Sequence, residues 1–127
     1  MIRPLIKHFR ALSQRSFSTS QAKDAPIMEY RHLGPSGLKV SLLSYGNWIT
    51  SASDQDQTLS NDVIARCLEY GINFFDTAEV YASGKAEEIL GNSLKALKVP
   101  REDVVVSTKV FWRSREGKEP NSQGLSR

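Results

Sequence analysis

The sequence predicts an α/β fold assembled from successive βαβ units, and three observations carry that expectation. Short runs of apolar, aromatic or β-branched residues at 42–45, 72–75 and 104–110 alternate with two segments, 59–68 and 86–97, whose apolar residues recur at helical spacing. Strands separated by helices are the pattern of a parallel sheet. The run Ile72-Asn73-Phe74-Phe75 is nearly continuous in apolar character, as a parallel strand covered on both faces requires. Third, Asp76, Tyr81 and Lys109 stand at or just past the carboxyl ends of the second and third runs. That is where parallel α/β folds keep their chemistry.

Taken in order, residues 1–23 hold five bases, four serines and no acid, with Ile2, Leu5, Ile6, Phe9 and Leu12 at helical spacing. This is the composition of a mitochondrial transit peptide, which places the protein in the mitochondrial matrix. A basic tail, or a helix lying on a membrane surface, is the plainer alternative. The remainder carries 12 bases against 14 acids, so the net charge of +3 belongs to the leader and no basic patch argues for nucleic acid. The single Cys67 excludes an internal disulfide and a paired-cysteine metal site. No apolar run approaches the ~18 residues that span a membrane.

Residues 24–28 form a linker with Pro26. Two short alternating runs, Tyr30-Arg31-His32-Leu33 and Leu38-Lys39-Val40-Ser41, flank the turn Gly34-Pro35-Ser36-Gly37 and predict a β-hairpin. His32, lone within it, is structural or surface. Leu42-Leu43-Ser44-Tyr45 is the first strand of the parallel sheet, with Gly46, Asn47 and Trp48 at its carboxyl end. A polar loop then leads to a helix whose stripe is Leu59, Val63, Ile64, Cys67 and Leu68, stopped by Gly71. Cys67 lies on the stripe and is read as packing.

After the second strand and its loop, a second helix buries Ala86, Leu90, Leu94 and Leu97. Gly91 within it costs about 1 kcal/mol against alanine and suggests close packing of helix on sheet. Pro100 closes the unit and residues 104–110 form the third strand. A charged, turn-rich segment, 113–123, fits a long third βα loop.

Several phrases together resemble the aldo-keto reductases: Gly71-Ile72-Asn73-Phe74-Phe75-Asp76-Thr77-Ala78-Glu79-Val80-Tyr81, Gly84-Lys85-Ala86-Glu87 with Leu90-Gly91, and Ser107-Thr108-Lys109. Thr108-Lys109-Val110-Phe111-Trp112 and Gly124-Leu125-Ser126-Arg127 are similar to the branch that includes the voltage-gated potassium channel β subunits. The resemblance implies that residues 29–127 are the amino-terminal part of a (β/α)8 TIM barrel, a fold of about 250 residues. It also implies a hairpin plugging the barrel's amino-terminal end. The family's active-site histidine and the loops that bind the cofactor's phosphates would then lie beyond Arg127.

The implied activity is NADP(H)-dependent reduction of aldehydes, ketones or quinones, with Tyr81 as general acid, Lys109 as the cation that favours its phenolate, and Asp76 as the partner of Lys109. A tyrosine, with a reference pKa of about 10, donates poorly near neutrality without such a cation. Gly46, Asn47 and Trp48, together with Asp76, correspond to the nicotinamide end of the cofactor site, with Asn47 where a threonine is common. Trp48 is a candidate wall of the substrate pocket, or a core residue. No metal is implied.

The resemblance carries alternatives as well. Asp76 and Lys109 could be an ordinary ion pair tying the second strand to the third, with Tyr81 as packing. The protein could be a non-catalytic binding subunit with a channel-like partner, or a homo-oligomer. It could also be a shortened, inactive half-barrel with an open parallel edge. Gly84 and Gly91 do not make a G-x-G-x-x-G dinucleotide fingerprint.

Overall fold

The computed structural model describes residues 28–48, 57–112 and 124–125. The expected transit peptide (1–23), nearly all of the linker, and the 113–123 loop lie outside the described residues. The hairpin is present: β1 (Tyr30–His32) pairs antiparallel with β2 (Lys39–Ser41) around a 3-10 turn at Gly34–Ser36. β3 (Tyr45–Gly46), β4 (Phe74–Asp76) and β5 (Val105–Ser107) form a parallel sheet in the order β3-β4-β5. The crossovers carry α1 (Gln57–Glu69) and α2 (Lys85–Ala96), giving the βαβαβ succession expected from the alternation.

Register fixes what shares a level. Tyr45 pairs with Phe75 and Phe75 with Val106, so the next residues, Gly46, Asp76 and Ser107, end their strands side by side. Phe75 is fully buried and packs with Ile64, Leu90 and Val104, with Tyr45, Cys67, Leu68, Leu94 and Leu97 around them. Successive strand residues point to opposite faces, so Phe74 and Asp76 turn away from that core. The Tyr45 and Phe75 rings meet edge to face, 6.2 Å between centroids.

Both helices end alike. Gly71, at φ +81°, terminates α1; its N–H donates to Leu68 O (3.0 Å) and that of Ile72 to Cys67 O (2.9 Å). This is the paired-bond stop that favours glycine at the left-handed position. At the end of α2 the same two bonds form from Lys98 to Lys95 O and from Val99 to Leu94 O, both 3.0 Å. There a lysine takes the left-handed conformation, at φ +53°.

The structure corrects four sequence readings. The first strand is not 42–45 but Tyr45–Gly46, because Leu42 is drawn back to the hairpin by its N–H bond to Glu29 O (2.8 Å) and leaves the sheet direction. The third strand stops at Ser107, so Lys109 lies in the loop beyond it. Leu59 is exposed, and the inward stripe of α1 begins instead with the buried Ser60. Gly91 faces open space, with nothing within 4 Å of a Cβ placed there, so it marks no close approach to the sheet. Of the two readings of Trp48, pocket wall or core, its 65% exposure sets aside the core.

Asn73 was not singled out by sequence, yet it joins the hairpin to the sheet. Its Oδ1 accepts from Ser41 N (2.7 Å), its Nδ2 donates to Lys39 O (3.0 Å), and its N–H donates to Ser41 Oγ (3.1 Å). The two helices are also tied by a polar contact: Gln57 Nε2 lies 2.8 Å from Ser93 Oγ and 3.1 Å from Ile89 O.

Candidate active site

Beyond the carboxyl ends of β4 and β5 the backbone continues to pair. Thr77 N donates to Ser107 O at 2.9 Å and Glu79 N to Lys109 O at 3.2 Å. These bonds carry Lys109 alongside the loop that follows Asp76. Its Nζ donates to Asp76 Oδ2 at 2.6 Å and to Thr77 O at 2.9 Å, and lies 5.1 Å from the centroid of the Tyr81 ring. Ser107 Oγ donates to the other Asp76 oxygen, also at 2.6 Å. Asp76, Tyr81 and Lys109, the three residues read from sequence as one site, are therefore together.

Their electrostatics follow from these contacts. Burial alone would raise the Asp76 carboxyl, but the hydrogen bonds from Lys109 and Ser107 and the Lys109 charge outweigh it and hold the group below its ordinary value. The Lys109 ammonium is raised, first by the hydrogen bond to Asp76 and, against desolvation, also by Tyr81. A charged lysine is thus fixed beside a phenol. By contrast, burial pushes the Cys67 thiol up, which accords with its packing role.

Tyr81 opens a tight turn, Tyr81–Gly84, in which Ala82 (φ +48°), Ser83 (φ +54°) and Gly84 (φ +92°) are all left-handed. The turn ends where α2 begins and brings the phenol back over the sheet's edge. The Trp48 indole stacks on the Tyr81 ring, 6.0 Å between centroids and 24° between planes. Trp48, Ala78, Glu79, Val80, Tyr81, Lys109 and Trp112 line a cavity of about 250 Å³, so the cation, the phenol and two indoles face one space.

Asn47, expected near a cofactor, is buried instead beneath α2. Its Nδ2 donates to Ala86 O at 2.8 Å, while its Oδ1 has no hydrogen-bond partner among the described residues. Gly46 is exposed, and a Cβ there would meet only Asp76 O, at 4.0 Å, which leaves the sheet edge open to close approach. The open Gly46, the exposed Trp48 plane and the Asp76 carboxylate suit the nicotinamide end of a dinucleotide. Lys109 is the one cation lining the cavity among the described residues, and Asp76 already holds it. Sequence reasoning missed Glu79 and Trp112. Both were within reach: an acid sits midway between Asp76 and Tyr81, and a tryptophan stands three residues past Lys109.

A parallel βα sheet that gathers an acid, a lysine and a tyrosine at its carboxyl edge is the opening portion of a (β/α)8 barrel, with these side chains at the end where such barrels carry their active sites. The chain belongs to the aldo/keto reductase family, whose model matches residues 42–127. It is 49% identical over 100 residues to an Arabidopsis thaliana protein named "Probable voltage-gated potassium channel subunit beta", covering 79% of this chain and 30% of that one. A protein of the same name from Oryza sativa subsp. japonica is 51% identical over the same shares. The chain thus spans about 30% of the length of these relatives.

Solved structures agree on the fold. An aldo-keto reductase from Bacillus halodurans in its holo form is 38% identical, with a TM-score of 0.60 over 72% of this chain and 29% of that one. A Pseudomonas aeruginosa protein assigned to the same family is 34% identical, with a TM-score of 0.62 over 74% of this chain and 36% of that one.

Proposed function

We propose that this chain supplies the proton-donating part of an NADP(H)-dependent carbonyl reductase site, acting on aldehydes, ketones or quinones. The observation that carries the reading is the Lys109 ammonium, held at 2.6 Å by Asp76 and lying over the Tyr81 ring. When bound, the cofactor would supply the hydride that the carbonyl carbon accepts. Tyr81 Oη gives its proton to the carbonyl oxygen as negative charge develops there. Lys109 stabilises the phenolate left behind, and Asp76 with Thr77 O keeps the ammonium in place. Trp48 and Trp112 give the cavity aromatic walls beside the phenol and the ammonium.

The test is turnover by the full-length protein with NADPH and one aldehyde, one ketone and one quinone, followed as loss of reduced cofactor. Reduction of at least one class, weakened by Lys109→Met, supports the reading; cofactor binding without turnover of any class removes it. A second reading is favoured by the names of the two plant relatives: a subunit that docks on a membrane channel. Co-purification of the full-length protein with a channel, in the absence of turnover, would select it. Residues 1–23 are proposed as a matrix-targeting presequence, on their basic, acid-free composition. Mass spectrometry of the mature amino terminus from isolated mitochondria tests this, and an intact Met1 there would contradict it.

A further inference from the structure

We propose that Glu79 is a positioning residue that clasps residues 109–112, keeping Lys109 between Asp76 and Tyr81 and Trp112 against the cavity; the catalytic part of this rests on the reductase reading above. β5 ends at Ser107, two residues before Lys109, so strand pairing alone does not fix the lysine. Glu79 grips the segment at two points. Its N–H donates to Lys109 O at 3.2 Å, and its Oε1 accepts from Phe111 N at 2.7 Å.

Phe111 is where a hold is needed. Its φ of +153° is a conformation that residues with side chains rarely adopt. Packing offers little to maintain it, since Phe111 is 51% and Trp112 62% exposed. Hydrogen bonds hold it instead: the Glu79 carboxylate takes the Phe111 amide, and Gly124 N donates to Phe111 O at 2.8 Å. The Phe111 ring then meets Trp112 edge to face, 5.3 Å between centroids. Glu79 thereby couples the loop bearing Tyr81 to the one bearing Lys109 and Trp112. A bond from an amide to a carboxylate is charge-assisted and roughly twice as strong as a neutral one.

The experiment compares wild type, Glu79→Ala and Glu79→Gln in the full-length holoprotein by hydrogen–deuterium exchange and by kcat and KM for carbonyl reduction. Glutamine keeps an acceptor oxygen at the same reach. Expected for Glu79→Ala is exchange of the Phe111 amide faster by about tenfold or more, with β4 unchanged. Its kcat falls by roughly tenfold or more, because small displacements of catalytic groups are costly. Glu79→Gln stays within about threefold of wild type on both measures. Unchanged Phe111 exchange in Glu79→Ala overturns the clasp, and faster exchange with unchanged kcat overturns the positioning role. Should the alanine variant not fold, a folded Glu79→Gln whose Phe111 amide exchanges as a free one overturns it equally. A wild type that reduces no carbonyl would sink the reductase reading, while the exchange data would still decide the clasp.

Discussion

Lys109 Nζ lies 2.6 Å from Asp76 Oδ2, joining residues 33 positions apart across the ends of β4 and β5. The pair is open to water, with side chains 51% and 36% exposed, so its stabilising effect is of the surface kind, roughly 0.2–1 kcal/mol. Its greater consequence is placement: Asp76 holds the ammonium beside Tyr81. The ammonium also donates to Thr77 O, and Tyr81 and Lys109 line the same cavity.

The pair gives a defined pH dependence. The Asp76 carboxyl is lowered, so its contribution is present above the ordinary carboxylate value of about 3.9 and is lost as pH falls through the lower folded value. The Lys109 ammonium is raised, so its contribution is present below about 10.4 and is lost as pH rises through the higher folded value. Asp76→Asn should therefore lower the urea midpoint slightly at neutral pH, and the difference from wild type should vanish in strong acid. A difference that persists there would contradict the assignment.

Lys98 occupies the left-handed position that glycine fills at the end of α1. A residue with a Cβ costs roughly 1–2 kcal/mol there, and glycine's greater freedom when unfolded returns part of that. Lys98→Gly should raise stability by roughly 0.5–1 kcal/mol, read as a higher thermal midpoint. A lower midpoint would show that the Lys98 side chain contributes more than its backbone conformation costs.

Gly71→Ala should act in the opposite direction. The new Cβ would lie 2.9 Å from Met28 Cβ and 2.9 Å from Tyr30 Oη, at a backbone φ of +81°. Tyr30 Oη donates to Gly71 O at 2.7 Å, so relief of the clash must disturb the contact between hairpin and helix end. A loss of at least about 1–2 kcal/mol is expected, with faster exchange in β1. Wild-type stability would mean that the hairpin moves aside freely.

These two helix ends show what was legible and what was not. Gly71 announces its stop because glycine is the residue the left-handed position favours, whereas Lys98 gives no such signal and only Pro100 marked the boundary. The parallel alternation and the trio at the strand ends were readable, since apolar periodicity and residue type report burial and chemistry locally. Gly91 was misread because glycine in a helix has two causes, close approach or indifference, and only the neighbours distinguish them. Leu42 and Leu43 look like strand residues, but the Leu42 N–H is committed to Glu29 O, a partner that no local pattern reveals. Asn47 and Glu79 likewise act through distant backbone groups, Ala86 O and Phe111 N.

Asn47 supplies a further check. Its buried Nδ2 anchors the start of α2 at Ala86 O. Asn47→Ala should cost about 1 kcal/mol for the lost hydrogen bond and speed exchange in the first turn of α2. No change in either would show that α2 is held by its apolar stripe alone.

The most direct measurement is kcat/KM for carbonyl reduction by full-length Tyr81→Phe beside wild type, with thermal midpoint and cofactor binding measured on the same samples. The substitution keeps the ring stacked on Trp48 and removes only the hydroxyl. The expected result is a loss of about 10²–10⁴-fold in kcat/KM with an unchanged midpoint and unchanged cofactor affinity. Turnover within about twofold of wild type, well short of the loss expected for a general acid, would contradict the assignment of Tyr81 as the proton donor.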